Sequence, residues 1–158
     1  MQHKKLIVIV GPTAVGKTDL AISVAKHFGT EIISADSRQI FRELGIGTAK
    51  PTAFQQSVVP HHFVGTHSIH QVYDAAQFGQ EALSLINQLF EKYNIVVLCG
   101  GSGLYVKAVC EGFDDIPKIP DQVRETLIQD YEKFGIEILQ ERMKKLDPVH
   151  FARIDQQN

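Results

Sequence analysis

The sequence has no tryptophan, two cysteines and few long apolar runs. The apolar run near its start, Leu6–Val10, is too short for a signal-peptide core or a membrane span. Cys99 and Cys110 lack the spacing of metal ligands and lie in or beside apolar segments, which favours reduced thiols. We therefore expect a cytoplasmic protein that does not contact a membrane.

The chain also lacks a large excess of charge of either sign. The formal net charge is −2, so the chain has no overall basic excess that would by itself indicate nucleic-acid binding. A basic face confined to one region remains compatible with this total. With 158 residues, 44% of them hydrophobic and 22% charged, the chain has the composition of a globular protein able to bury one sizeable core.

Hydrophobic patterning predicts alternating strands and helices. The continuous β-branched run Leu6–Val10 is typical of a central parallel strand covered on both faces. Further strands are predicted at Glu31–Ser34, near His62–Val64 and at Asn94–Cys99, and helices at Asp19–Phe28, from Asp74 to about Tyr93 and at Leu104–Glu111. Gly45–Thr66 is otherwise interpreted as loop. This order predicts an α/β fold, an open parallel sheet with helices on both faces as in P-loop NTPases.

The character of the chain changes after Gly112. The stretch Asp114–Pro120 resembles a linker, and two amphipathic helices, Asp121–Phe134 and Ile136–Leu146, are predicted beyond it. We therefore predict a catalytic core at residues 1–113 and the start of a helical insertion at residues 114–158.

A phosphate-binding loop is the first chemical motif. Gly11–Thr18 matches the pattern G-x-x-x-x-G-K-[ST] between a predicted strand and a predicted helix. In such loops the backbone N–H groups and the helix N-terminus surround phosphate oxygens. Lys17 would contact the terminal phosphates, and the Thr18 hydroxyl would bind Mg²⁺. The motif predicts a phosphate-bearing ligand, ATP included, without specifying the reaction.

Asp36 is the second candidate. It lies after the second predicted strand, at the sheet edge where ligands bind in open α/β folds. A carboxylate there can act as a general base, bind Mg²⁺ through water or cap a turn, and the residues alone leave all three open.

An ordered set of segments resembles the tRNA dimethylallyltransferase family, also called tRNA isopentenyltransferases. These segments are Gly11–Thr18, Ile33–Gln39, Gly45–Pro51, Pro60–His62 and Gly100–Tyr105, with Leu146–Pro148 and Ala152–Ile154 later in the chain. The resemblance covers essentially the whole sequence. It implies transfer of a dimethylallyl group from dimethylallyl diphosphate to N6 of an adenine beside the tRNA anticodon.

The resemblance also implies roles for individual residues. The P-loop, made of Gly11, Pro12, Thr13, Ala14, Val15, Gly16, Lys17 and Thr18, would hold the diphosphate of the prenyl donor, with Mg²⁺ on Thr18. Asp36 would be the catalytic base. The tRNA would be contacted by Asp36, Ser37, Arg38, Gln39, Ser102 and Arg124. Position 102 is serine where the family commonly has threonine, and the hydroxyl is retained.

Family members run to about twice this length, so we expect the chain to correspond to the first half and not to be fully active by itself. The resemblance implies a whole protein that acts on the tRNA anticodon stem-loop, and we expect a monomer. Three other classes share parts of the pattern. Small-molecule kinases have the P-loop, but no arginine-rich lid is evident between Phe113 and Asn158. A P-loop binding or switch module would need no base at Asp36. Adenylate isopentenyltransferases act on free nucleotides, whereas Gly45–Pro51 resembles the tRNA-acting branch.

Overall fold

A computed structural model describes residues 3–113 and 119–155 of the chain. Most of the predicted linker, residues 114–118, lies outside the described residues. The chain divides into two compact units, Met1–Asp114 and Asp115–Asn158, which are treated separately below.

The first unit is built on a parallel sheet. Its strands are β1 (Lys5–Val10), β2 (Ile32–Ser34), β3 (His61–His62) and β4 (Ile95–Gly100). They are ordered β1-β4-β2-β3, and every described pairing is parallel. In register, Lys5 pairs with Ile95 and Ile33 with Leu98. The predicted α/β class is confirmed.

Helices cover both faces of this sheet. They are α1 (Lys17–Phe28), α3 (Ala75–Lys92) and α4 (Gly103–Cys110), and a short helix, α2 (Ala53–Val58), precedes β3. Successive β4 side chains point to opposite faces because strand side chains alternate. Val96 and Leu98 pack in the cluster that contains α3 and α4, whereas Val97 packs in the cluster that contains α1.

The predicted central position of β1 is wrong for the described sheet. β1 lies at its edge and pairs with β4 alone among the described strands. Val8 and Val10 are 37% and 59% exposed. An uninterrupted apolar run indicates two apolar faces, but it does not report which elements cover them or whether both edges are paired.

The segment predicted as loop contains a helix. Before α2, the Thr52 hydroxyl accepts a hydrogen bond from the Gln55 N–H at 3.1 Å, and the Gln55 side chain accepts one from the Thr52 N–H at 2.9 Å. This capping box stabilises a short helix in a segment with few apolar residues. The following strand is His61–His62 rather than His62–Val64, and Phe63 adopts a φ of 60° that is incompatible with extended structure.

Helix α3 begins where Asp74 predicts. The Asp74 carboxylate accepts a hydrogen bond from the Gln77 N–H at 2.8 Å. The spacing Asp74-x-x-Gln77 is that of a capping box, but the Gln77 side-chain amide donates to Glu81 at 3.1 Å and the reciprocal bond is not formed. One capping bond is therefore present where the pattern indicated two.

The second unit contains three helices within the described residues: α5 (Asp121–Phe134), α6 (Ile136–Leu146) and α7 (Pro148–Phe151). The first two have the predicted bounds, and an ion pair of 3.0 Å between Asp130 and Arg142 joins them. The short third helix begins at an Asp147 side chain that accepts a hydrogen bond from the His150 N–H at 2.8 Å. Over the described part of the chain, no helix has the length and apolar character needed to cross a membrane.

Candidate active site

The P-loop connects β1 to α1 in a conformation suited to an anion. Gly16, at the start of α1, has a φ of 85°, and Ala14 has a φ of 66°. No side chain caps the first turn of α1, so its N–H groups are available to a ligand at the positive end of the helix dipole. The Lys17 ammonium donates a hydrogen bond to the Pro12 carbonyl and so lies across the loop.

A cavity of about 390 Å³ brings the P-loop and the end of β2 together. Its P-loop wall is formed by Thr13, Ala14, Gly16, Lys17 and Thr18, and its other lining residues include Asp36, Gln39, Lys50, Gln55, His61 and Cys99. The two predicted groups, the phosphate loop and the carboxylate, therefore share one cavity.

Asp36 is held by the backbone of its own turn. Its Oδ1 accepts hydrogen bonds from the N–H of Arg38 at 2.9 Å and of Gln39 at 3.2 Å. Among the described residues, no donor bonds to Oδ2. The carboxylate thus caps a turn through one oxygen, while the other remains able to accept a proton.

The predicted tRNA contacts near Asp36 differ in whether their side chains are hydrogen-bonded within the protein. Ser102 Oγ accepts a hydrogen bond from the Ser37 N–H at 2.8 Å and lies 3.1 Å from the Ser37 hydroxyl. This pair joins the Asp36 turn to the start of α4. Gln39 is hydrogen-bonded within the protein, whereas Arg38 is exposed and its guanidinium bonds to no described residue.

The remaining predicted residues do not line the main cavity. Gly11 and Pro12 line a second cavity of about 360 Å³ with the start of α4, and Val15 is 58% exposed. Arg124 is exposed on α5 in the second unit.

Gln55 and His61 line the main cavity and were not predicted as site residues. Gln55 donates a hydrogen bond to Asp19 at 3.0 Å, and the pattern Thr52-x-x-Gln55 could have indicated its helix. His61 donates through Nδ1 to the Val59 carbonyl at 2.8 Å, which leaves Nε2 as a buried acceptor without a partner among the described residues. Burial lowers the pKa of His61, which favours the neutral ring. No sequence pattern identified His61 as part of this wall.

A protein-family model matches most of the chain. The IPP transferase model matches residues 39–158, about three quarters of the chain. The chain belongs to the IPP transferase family. The match begins after the P-loop and Asp36, so the geometry of those two groups is evidence independent of it.

Curated relatives agree with this assignment. The chain is 49% identical over 156 residues to a tRNA dimethylallyltransferase of Cytophaga hutchinsonii, covering 99% of this chain and 51% of that protein. It is 47% identical over 158 residues to tRNA dimethylallyltransferase 1 of Bacteroides fragilis, covering 100% and 52%. The chain therefore spans about half the length of the curated relatives it matches.

Solved structures share the fold. The tRNA isopentenylpyrophosphate transferase of Bacillus halodurans superposes with a TM-score of 0.69 at 37% identity, over 98% of this chain and 52% of that one. A eukaryotic dimethylallyltransferase described as acting on tRNA gives a TM-score of 0.80 at 25% identity, over 97% and 38% of the two chains.

Proposed function

We propose that the protein to which this chain corresponds transfers a dimethylallyl group from dimethylallyl diphosphate to N6 of an adenine adjacent to the tRNA anticodon. The observation that carries the proposal is the single cavity shared by the P-loop and Asp36. Reaction by displacement of a diphosphate requires an anion site and a base on the two sides of one reacting carbon. Relatives named tRNA dimethylallyltransferase support the same transferred group and tRNA as the acceptor.

The P-loop is the proposed donor site. The uncapped N–H groups at the start of α1 face the region where diphosphate oxygens would lie, and Lys17 would leave the Pro12 carbonyl to contact them. As the allylic carbon–oxygen bond breaks, its electron pair passes to the diphosphate. The loop amides and Lys17 would stabilise that growing negative charge.

Asp36 is the proposed general base. An exocyclic amine is a weak nucleophile, and a carboxylate close to its proton assists attack on the carbon. With Oδ1 already bonded to two backbone N–H groups, Oδ2 is the atom that would receive the N6 proton. The new nitrogen–carbon bond forms as the bond to diphosphate breaks, and the charges balance.

Mg²⁺ is the proposed cofactor. Thr18 lines the cavity and offers a hydroxyl oxygen, and the described residues include no cluster of three or more His, Cys, Asp or Glu side chains able to enclose a metal. This donor set fits a hard cation that takes most of its oxygens from phosphate and water. Thr18 would hold it, and the ion would supply positive charge to the leaving diphosphate.

Among the predicted tRNA contacts, Arg38 fits a direct role best. Its guanidinium is exposed beside Asp36 and bonds to no described residue, so it is available to a phosphate or a base edge. Ser37 and Ser102 would act at the same turn through their shared hydrogen bonds. Arg124, exposed on α5, is proposed as a further contact to the tRNA backbone. An adenine in an unpaired loop can leave its stack at small cost and enter such a cavity.

Calorimetric binding tests the donor assignment. The chain should bind Mg²⁺–dimethylallyl diphosphate more tightly than Mg²⁺–ATP, and Lys17→Ala should weaken binding at least about tenfold because one charge-assisted contact is lost. Lys26→Ala, a substitution at the other end of α1, is the matched control and should bind as the unmodified chain does. Tighter binding of ATP would favour a small-molecule kinase.

Transfer activity tests the base and the acceptor. Asp36→Asn should retain donor binding and lower kcat by about a hundredfold or more, since the amide cannot accept the N6 proton. An anticodon stem-loop should be prenylated in preference to free AMP. Preference for AMP would favour an adenylate isopentenyltransferase instead.

A further inference from the structure

Both side-chain N–H groups of Gln39, a predicted tRNA contact, are used inside the protein. Its Nε2 donates to the carbonyls of Thr48 at 3.1 Å and Ala49 at 3.0 Å. Its Oε1 accepts from the buried Ser34 hydroxyl at 3.2 Å. An amide nitrogen has two hydrogens to donate, and these two carbonyls take both. No side-chain N–H remains for an RNA base or phosphate.

The carbonyls belong to a loop that other internal bonds also hold. In the Leu44–Lys50 loop, the Thr48 hydroxyl donates to the Leu44 carbonyl at 2.9 Å, and the Lys50 ammonium donates to the Phe41 carbonyl. Ala49 has a φ of 49°, a left-handed conformation that a non-glycine residue keeps only where surrounding contacts impose it. The Gln39 bond to the Ala49 carbonyl is such a contact.

Gln39 also belongs to the turn that carries Asp36. Its N–H donates to Asp36 Oδ1 at 3.2 Å, and its carbonyl accepts from the Gly65 N–H at 2.9 Å. Ala49 and Lys50 line the same cavity as Asp36. One residue therefore connects the turn that orients the carboxylate to the loop that forms another wall of the cavity.

We propose that Gln39 is a positioning residue, which fixes the Leu44–Lys50 loop against the Asp36 turn, and that its side-chain N–H groups do not contact tRNA. The catalytic consequence rests on the proposed role of Asp36. The structural consequence does not, because it concerns the order of the loop in the free protein.

A single reporter measures that order. Ile46, at the tip of the loop, is 98% exposed, and the sequence has no tryptophan, so Ile46→Trp adds one fluorophore without disturbing packing. Gln39→Met keeps the side-chain volume and removes every hydrogen bond of the amide. Gln39→Glu replaces the donor by an acceptor that faces two carbonyls. Gln80→Glu, on the exposed face of α3, controls for the added charge.

In the absence of tRNA, both Gln39 variants should lose fluorescence anisotropy at the reporter, and Gln80→Glu should not. Circular dichroism identifies any variant that has unfolded. If Gln39→Glu unfolds, the test is made with Gln39→Met alone. Unchanged anisotropy in a folded Gln39→Met variant would overturn the proposal.

Kinetics provide a second readout. Gln39→Met should lower kcat for prenyl transfer by about tenfold to a hundredfold, as expected for a misplaced reacting group, with KM for tRNA changed less than about twofold. Arg38→Gln should instead raise KM for tRNA. A raised KM with unchanged kcat in Gln39→Met would overturn the positioning role. Absence of transfer in the unmodified protein would refute the proposed function, while the anisotropy would still decide whether Gln39 holds the loop.

Discussion

Replacing Gly100 by alanine places a methyl group where β4 passes the backbone of Ala35. A Cβ built at Gly100 lies 2.8 Å from the Ala35 Cα and closer still to its carbonyl oxygen, whereas real Cβ contacts essentially never fall below 3.0 Å. Backbone cannot rotate away as a side chain can, so the ends of β2 and β4 must separate. The hydrogen bond of 2.8 Å from the Ala35 N–H to the Cys99 carbonyl crosses this contact and would be strained or broken.

The expected cost combines two effects. Overpacking in a close-packed region costs about 1–3 kcal/mol, and loss of one backbone hydrogen bond adds about 1 kcal/mol, so Gly100→Ala should lower the free energy of unfolding by about 2–4 kcal/mol. Because Asp36 follows Ala35, binding of dimethylallyl diphosphate in the shared cavity should weaken as well.

Urea unfolding followed by circular dichroism measures the effect. Gly103→Ala is the matched control, since a Cβ built there has nothing within 4 Å and the position begins α4. It should change stability by no more than about 0.5 kcal/mol. If Gly100→Ala proves as stable as Gly103→Ala, the close approach of β4 to Ala35 does not exist as described.

Three further predictions concern other parts of the molecule. Burial raises the pKa of Glu31, but hydrogen bonds from His62 and Tyr93 outweigh burial and hold the pKa below its usual value of 4.5. Stability from this group is therefore present above that pH and lost as the pH falls through the folded pKa. Glu31→Gln should flatten the acid limb of the stability curve measured by urea unfolding. Burial raises the pKa of the Cys99 thiol, so the exposed Cys110 should react first in a titration with a thiol reagent. Cys110→Ser should leave a single slow phase, and a remaining fast phase would contradict the burial of Cys99. Asp74→Ala should cost about 1 kcal/mol in thermal or urea unfolding, because it removes the cap of α3; no loss would mean that the hydrogen bond to the first turn contributes nothing.

The strand–loop–helix arrangement around Gly11–Thr18 could be predicted because it depends on local spacing. Gly16, Lys17 and Thr18 are adjacent in the chain, and the strand before them and the helix after them are visible in the hydrophobic pattern. Asp36 could be placed at the same edge of the sheet by the general rule for parallel strands. Its two backbone hydrogen bonds, which decide which oxygen is free, could not be predicted because they depend on the turn conformation.

The part of the cavity wall formed by Gln55 and His61 was missed. Gln55 and His61 reach it from a segment interpreted as loop, and α2 is too short and too polar to show a helical apolar period. The role inferred for Gln39 differs from the predicted contact for a similar reason. A residue type at a motif position does not show whether its amide faces solvent or two carbonyls nine and ten residues along the chain.

The sequence by itself determined the α/β class, the phosphate loop and the bounds of the long helices, since each depends on spacing within a few turns or strand residues. Tertiary structure alone decided that β1 lies at the edge of the described sheet and that Asp36 and the P-loop share one cavity. It also decided that the Gln39 amide nitrogen donates to two carbonyls of the Leu44–Lys50 loop. These features join residues that are distant in the chain. They follow from which surfaces pack together, and a local pattern of residue types carries no information about its packing partners.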